Sequence, residues 1–363
     1  MEKDAVSAAT TLCTFCPKMC RVACPVAEAT AREDVTPWGL MTVLGQVRDG
    51  RLPIDAEIGA LVHACSGCGR CEKFCAHEND VPEAMRLARN LVAEAGAAPE
   101  AVQESVRRLR GTGNIKGEDL AEKQRALLGD HVNADARTLF FPGCEALSSG
   151  GEAVQDGIRV LEHLGFGPVA VLPDAPCSGS PYESAGAVEE FGRHAQRLAE
   201  RLSHYTLIVS SCPSCVRTLT ERYTAVGAPV RARVAHLVEL AAERMPRGAA
   251  TTFKAAYHDP CHLGRGLGHY EPPREALRRA GAEVVEWFDR RETSRCSGGG
   301  FGLTRTMPDA ARAIAERRVS DVPESADVIA TACPTCTAQL RAVSKKPVVE
   351  VATLLAKALG LRP

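Results

Sequence analysis

Leu207-Ile208-Val209-Ser210-Ser211-Cys212-Pro213-Ser214-Cys215 is answered 121 residues later by Val328-Ile329-Ala330-Thr331-Ala332-Cys333-Pro334-Thr335-Cys336. In both stretches a short apolar run, rich in β-branched residues, ends at Cys-Pro-x-Cys. That is the pattern of a buried strand that stops where a helix begins, with proline at a helix start where its missing N–H costs little. Working outward, Leu139 to Cys144 corresponds to Ala255 to Cys261, and Ala175-Pro176-Cys177-Ser178-Gly179 to Ser294-Arg295-Cys296-Ser297-Gly298. Every landmark recurs between 117 and 121 residues later. Four landmarks at nearly one offset indicate a tandem domain duplication. Amphipathic segments such as Phe191 to Leu202 and Ala310 to Val319 alternate with the strands, so each repeat is expected to be α/β with a largely parallel sheet. Ligand loops in such a fold lie at the carboxyl ends of strands, and a helix start there favours thiolate charge.

The chain has 363 residues and sixteen cysteines, which form four ordered sets of four. Two sets belong to the repeats: Cys144, Cys177, Cys212 and Cys215, then Cys261, Cys296, Cys333 and Cys336. The other two are compact. Cys65, Cys68, Cys71 and Cys75 have the C-x2-C-x2-C-x3-C spacing of a bacterial-ferredoxin cluster loop, with Gly67 and Gly69 permitting its tight turns. Cys13, Cys16, Cys20 and Cys24-Pro25 form a looser run, with three residues rather than two between Cys16 and Cys20. In the second run Ala76 stands where proline usually follows. In two-cluster ferredoxins the fourth cysteine of each run ligates the other cluster. The expected ligand sets are therefore Cys65, Cys68, Cys71 and Cys24 for one 4Fe–4S centre, and Cys13, Cys16, Cys20 and Cys75 for the other.

Composition bounds the rest. With 44 basic and 45 acidic residues the net charge is -1, which offers no global field for nucleic acid. No apolar stretch reaches transmembrane length. The start, MEKDAVSAATTLC, is polar and lacks the apolar region of a secretory signal. Sixteen cysteines without an export signal point to metal ligation in a reducing cytoplasm rather than to disulfides. Thr36-Pro37-Trp38-Gly39 is expected to start one helix and Val81-Pro82-Glu83 another, while residues 96–136 read as a packed connection with Leu109, Ile115, Leu120, Leu127 and Leu128 to bury.

These motifs carry a resemblance. The patterns C-x32-C-S-G-x32-C-x2-C and C-x34-C-S-G-x34-C-x2-C are similar to the cysteine-rich CCG domains of heterodisulfide reductase. They also resemble the iron–sulfur subunits of glycolate oxidase and anaerobic glycerol-3-phosphate dehydrogenase, as does the order of ferredoxin-type region and two repeats. Tyr257 to Arg265 and Cys296-Ser297-Gly298-Gly299-Gly300-Phe301-Gly302 look like the family's second repeat. The resemblance implies an α+β multidomain chain. An N-terminal α-helical ferredoxin-type domain (1–95) and a connection (96–136) precede two duplicated α/β cysteine-rich domains (137–248 and 249–363).

The resemblance also implies an electron-transfer subunit. It would take electrons from a flavoprotein dehydrogenase partner acting on a 2-hydroxy acid or glycerol 3-phosphate, and pass them to a quinone or another carrier. The chain itself shows no G-x-G-x-x-G dinucleotide fingerprint after a strand, so a flavin would belong to the partner. A cytoplasmic location follows, with peripheral membrane association through a partner left open. One departure bears on the chemistry. Ser178 and Ser297 stand where the family commonly has the second cysteine of a Cys-Cys pair. Four cysteines per repeat serve either a 4Fe–4S cubane or a tetrahedral zinc site, and spacing does not choose between them. A heterodisulfide-reductase-like catalytic subunit acting on a thiol or disulfide, and a zinc-bearing assembly platform, stand as alternatives to the electron carrier.

Smaller motifs are read beside these. His258 and His262 flank Cys261 and fit either donors toward a cluster or histidines satisfied at a strand end. Gly298-Gly299-Gly300 reads as a close-approach turn beside a cluster, since no Lys-Ser/Thr follows it as in a phosphate cradle. Arg107-Arg108-Leu109-Arg110 and Arg290-Arg291 read as solvated charge.

Overall fold

A computed structural model describes residues 9–13, 16–129, 135–247 and 253–362. Part of the polar N-terminal start and the 248/249 repeat boundary lie outside them.

The duplication is realised as two four-stranded parallel sheets. The first has β1 (Thr138–Phe140), β2 (Val169–Ala170), β3 (Leu207–Ser210) and β4 (Arg233–His236) in the order β2-β1-β3-β4. The second has β5 (Phe253–His258), β6 (Ala282–Val285), β7 (Val328–Thr331) and β8 (Val348–Glu350) in the order β6-β5-β7-β8. Register is equivalent, with Leu139 opposite Ile208 and Ala256 opposite Ile329. In such an order the chain turns outward in both directions from the central strand pair, which opens a crevice at their carboxyl ends. The switch points are β1/β3 and β5/β7. Cys144 follows β1 and Cys212 follows β3; Cys261 follows β5 and Cys333 follows β7. The strand order thus brings together cysteines that lie far apart in sequence.

The repeats share one core. Helices Glu152–His163 and Leu237–Arg244 of the first pack on Val351–Ala358 and Glu271–Arg279 of the second. Ile158, Leu161, Val238 and Leu240 are buried with Ala276, Leu277 and Leu355. The expected helices Phe191 to Leu202 and Ala310 to Val319 appear as Val188–Leu202 and Pro308–Ser320.

The N-terminal region is helical. Thr36 caps helix Pro37–Arg48 by accepting from the Gly39 N–H at 3.0 Å, and Asp80 caps Val81–Glu94 by accepting from the Glu83 N–H at 2.9 Å. Leu40, Met41, Leu44, Val62, Met85 and Val92 make a small core that also contains Cys13, Cys20 and Cys71. A core of this size gains from a metal staple. The connection folds as helices Glu100–Thr112 and Leu120–Leu128; of the five residues expected to bury, Leu109 and Leu120 are buried, whereas Ile115, Leu127 and Leu128 are half-buried against the repeat cores. Arg107, Arg108 and Arg110 are solvated, paired with Glu100, Glu104 and Glu190.

The N-terminal region docks chiefly on the second repeat. Val26, Val35, Ala64 and Cys68 pack with Cys296, Leu303, Ala311 and Ile314. Arg89, with no exposed surface, donates to the carbonyls of Val62, Cys65 and Ser184, and so ties the cluster loop to the first repeat as well.

Candidate metal centres

All sixteen cysteines are free, and they gather into neighbouring groups. Cys13 lies among Cys16, Cys20 and Cys75, the crossed set expected from the ferredoxin spacing. Its sulfur accepts from Asn79 Nδ2 at 3.1 Å, and burial pushes its pKa from the ordinary 9.0 to about 11. Cys24 lies beside Cys65 and Cys68, and burial raises it to about 12. Cys71 is raised by burial first and then by Cys68, Cys65, Cys24 and Cys20. Cys20 and Cys71 therefore mark where the two groups approach. Several thiolates packed in a low dielectric repel one another, so without a cationic partner the protonated form wins.

In the repeats the thiols meet as neighbouring pairs: Cys144 with Cys177, Cys212 with Cys215, Cys261 with Cys296, and Cys333 with Cys336. The neighbouring thiol and then burial push Cys177, Cys215 and Cys333 well above the ordinary range. Cys333 also feels Cys212 of the first repeat, and Cys68 of the N-terminal loop contacts Cys296. Among the described residues no three His, Cys, Asp or Glu side chains close to the spacing of a single bound ion.

All eight repeat cysteines line one cavity of about 200 Å³ between the two switch points. Ser178 and Ser297 line it too, and Ser297 Oγ donates to Cys336 Sγ at 3.2 Å. Below this cavity the backbone is shaped for close approach. Gly143 holds φ 78 and ψ 154, a region nearly restricted to glycine, and a Cβ there would lie 3.0 Å from Cys215 Sγ. On the second repeat, a Cβ on Gly300 would come 2.5 Å from the Ser66 carbonyl oxygen. The glycine turn is a close-approach turn, as expected, but its outer side is filled by the ferredoxin loop. The residue that ends helix Ala56–Val62, His63, and helix Glu100–Thr112, through Ala101 and Ser105, help wall the cavity.

The two flanking histidines part company. His258 is buried outside the cavity, where its Nδ1 accepts from Arg318 Nε at 3.1 Å. His262 lines the cavity, with Nδ1 2.7 Å from Ser214 Oγ of the first repeat. Burial lowers its pKa to about 3, and its Nε2 is buried with no partner. His63, two residues before the cluster loop, was not singled out by the sequence. It is 1% exposed, lines the cavity, and both ring nitrogens lack partners. Tyr257 Oη, close to Cys333 and Cys336, is likewise buried and unpartnered. Buried polar atoms are rarely left so. The orphaned rings of His63 and His262 face a set of soft thiols over a glycine cradle, which suits a sulfide-bearing group, so the residues present fit an iron–sulfur cofactor.

Unpaired thiols grouped at a cluster loop and at two switch points define an iron–sulfur redox protein. A 4Fe-4S dicluster domain matches residues 9–79, and a cysteine-rich domain matches residues 138–220 and again 255–341. The chain belongs to the family of iron–sulfur proteins that share this plan. It is 29% identical over 325 residues to one component of the dihydromethanophenazine:CoB–CoM heterodisulfide reductase of Methanosarcina acetivorans, covering 83% of this chain and 78% of that one. It is 25% identical to one component of the fumarate reductase (CoM/CoB) of Methanothermobacter marburgensis, covering 87% of this chain and 65% of that one. It is 24% identical to the EtfAB:quinone oxidoreductase of Syntrophomonas wolfei, covering 92% of this chain but 50% of that one. The chain thus spans between half and about four fifths of these relatives. It is an iron–sulfur electron-transfer subunit of the oxidoreductase kind. No helix among the described residues is long and apolar enough to cross a membrane, and one relative is named a probable membrane-anchored ferredoxin.

Proposed function

We propose that the chain carries electrons from a flavoprotein dehydrogenase partner, through its N-terminal thiol sets, to the cavity between the repeats, where a quinone or other carrier accepts them. Bound clusters would supply the one-electron chemistry. The chain's own residues supply the order. Cys13, Cys16, Cys20 and Cys75 form the outermost set: Cys16 and Cys75 are partly exposed, and exposed Leu12, Met19 and Val22 alternate with its cysteines along the chain. Cys24, Cys65, Cys68 and Cys71 come next, then the second repeat's set, then the first repeat's. The observation that carries this reading is the contact of Cys68 with Cys296, which joins the ferredoxin loop to the second repeat. A relative whose name joins EtfAB to quinone supports a carrier of this kind.

Two 4Fe–4S clusters in the N-terminal region predict about eight iron atoms per chain, and more if the repeats hold iron rather than zinc. Iron near zero with zinc near four, in protein purified without oxygen, overturns the reading. In a second reading, favoured by the cavity and by the heterodisulfide reductase relatives, the repeats act on a thiol or disulfide. Ser178 and Ser297 weigh against it, because each removes a thiolate where the family commonly places one. Turnover of a disulfide by the unmodified chain at rates matching its reduction by the partner would establish this second reading instead.

A further inference from the structure

Arg265 lies near the end of the short π-helical turn His262–Gly266 that follows Cys261. Its guanidinium spans the seam between the ferredoxin loop and the second repeat. Nε donates to the Cys68 carbonyl at 2.6 Å, and Nη1 donates to the carbonyls of Glu292 and Ser294 at 2.9 Å each. Nη2 is buried and has no partner. Two other arginines near this seam are neutralised: Arg70 reaches Asp289 at 3.2 Å, and Arg295 pairs with Asp289 at 2.7 Å and Glu28 at 2.6 Å. Arg89 also lacks a carboxylate among the described residues, but its donors go to the carbonyls of Val62, Cys65 and Ser184. Among the described residues no carboxylate stands within ion-pair distance of Arg265. Three neutral carbonyls orient the cation without cancelling it. It therefore touches a member of each set: it grips the Cys68 backbone through its Nε, and it stands in the helical turn that starts directly after Cys261.

We infer that Arg265 is a charge-compensating residue shared by two redox centres, raising the reduction potential of both the Cys24/Cys65/Cys68/Cys71 set and the Cys261/Cys296/Cys333/Cys336 set. This rests on the reading that both sets hold clusters. A thiolate-bound cluster gains negative charge on reduction, and net charge and hydrogen bonds to sulfur are what set its potential. An unneutralised cation, half-buried at the seam between the two sets, stabilises the reduced state on whichever side the electron sits. The free Nη2 arm supplies a donor that no protein atom uses. Arginine suits the position because its planar fork satisfies three carbonyls from two regions.

The test is a redox titration of the full chain, purified without oxygen and followed by electron paramagnetic resonance. The variants are Arg265→Gln, Arg265→Lys and, as a control, Arg312→Gln at an exposed site. Arg265→Gln is expected to lower the reduction equilibrium of both centres at least tenfold, about 59 mV for one electron. The Cys13/Cys16/Cys20/Cys75 centre and the control should stay where they were. Arg265→Lys keeps the charge and loses the fork, so its two midpoints should stay within about threefold of the parent. Equal iron with unshifted midpoints in Arg265→Gln overturns the inference, as does an equal shift at all centres. Where Arg265→Gln fails to load iron, a tenfold fall in Arg265→Lys overturns it. Absence of either cluster from the unaltered protein, seen before any variant is made, instead overturns the electron-carrier reading on which the inference stands.

Discussion

Gly143→Ala should deprive the first repeat of its metal while leaving the chain folded. Gly143 precedes Cys144 at the end of β1 with φ 78 and ψ 154, and an ordinary side chain held there costs of order 1–3 kcal/mol. The new Cβ would stand 3.0 Å from Cys215 Sγ and 3.6 Å from Cys212 Cβ. Relieving the first contact moves the thiol by roughly half an ångström, the limit within which a functional constellation has to be held. A strain of 1–3 kcal/mol is smaller than the ~5–15 kcal/mol that holds a typical domain folded, so ligation should fail before the fold does. The assay is metal content per chain with the cluster spectra, beside a thermal melt. Gly192→Ala is the control: it lies mid-helix with nothing within 4 Å of its added Cβ, and should stabilise by about 0.5–1 kcal/mol with metal unchanged. Full metal and unaltered spectra in Gly143→Ala would refute the idea that this turn cradles Cys215.

Cys68→Ser should abolish one N-terminal centre and stop electron flow into the repeats, which keep their own cores; reduction kinetics identical to the parent would count against the ligand assignment. Arg89→Met should leave the buried carbonyls of Val62, Cys65 and Ser184 unpaired and cost about 3 kcal/mol in urea unfolding; a loss under ~1 kcal/mol would show the tie to be incidental. The metal-free chain should be labile in alkali. Burial raises Cys13 to about 11 and Cys24 to about 12, against an ordinary 9.0. The folded state keeps protons that the unfolded state has lost, so this contribution is whole below pH 9 and disappears as pH rises toward 11–12. Loaded protein, with its thiolates held by metal, should lack that window; equal alkaline midpoints for the two forms would disprove the account.

Much of this was open to a reader of the chain because its causes are local. The Cys65–Cys75 spacing defines one loop wrapping a cluster. Leu207 to Cys215 and Val328 to Cys336 carry a strand, a stop and a helix start within nine residues each. Repetition at a near-constant offset shows the duplication without reference to any contact. The histidines beside Cys261 were not separable in this way. His258 and His262 are four residues apart, yet one is held by Arg318 and the other faces Ser214 across the repeat boundary.

The sequence by itself determined four sets of thiols and the helical and α/β character of the regions that carry them. Only the tertiary structure decided that Cys68 meets Cys296, that both repeats and His63 face one cavity, and that Arg89 and Arg265 grip the backbone of the cluster loop. The physical reason is the range of the interactions. Ligand spacing and strand-to-helix transitions are set by neighbours along the chain, whereas these contacts depend on parallel strand order and on a seam between regions about 200 residues apart, as from Arg265 back to Cys68. A buried arginine looks like any surface arginine until the fold removes its water and withholds a carboxylate.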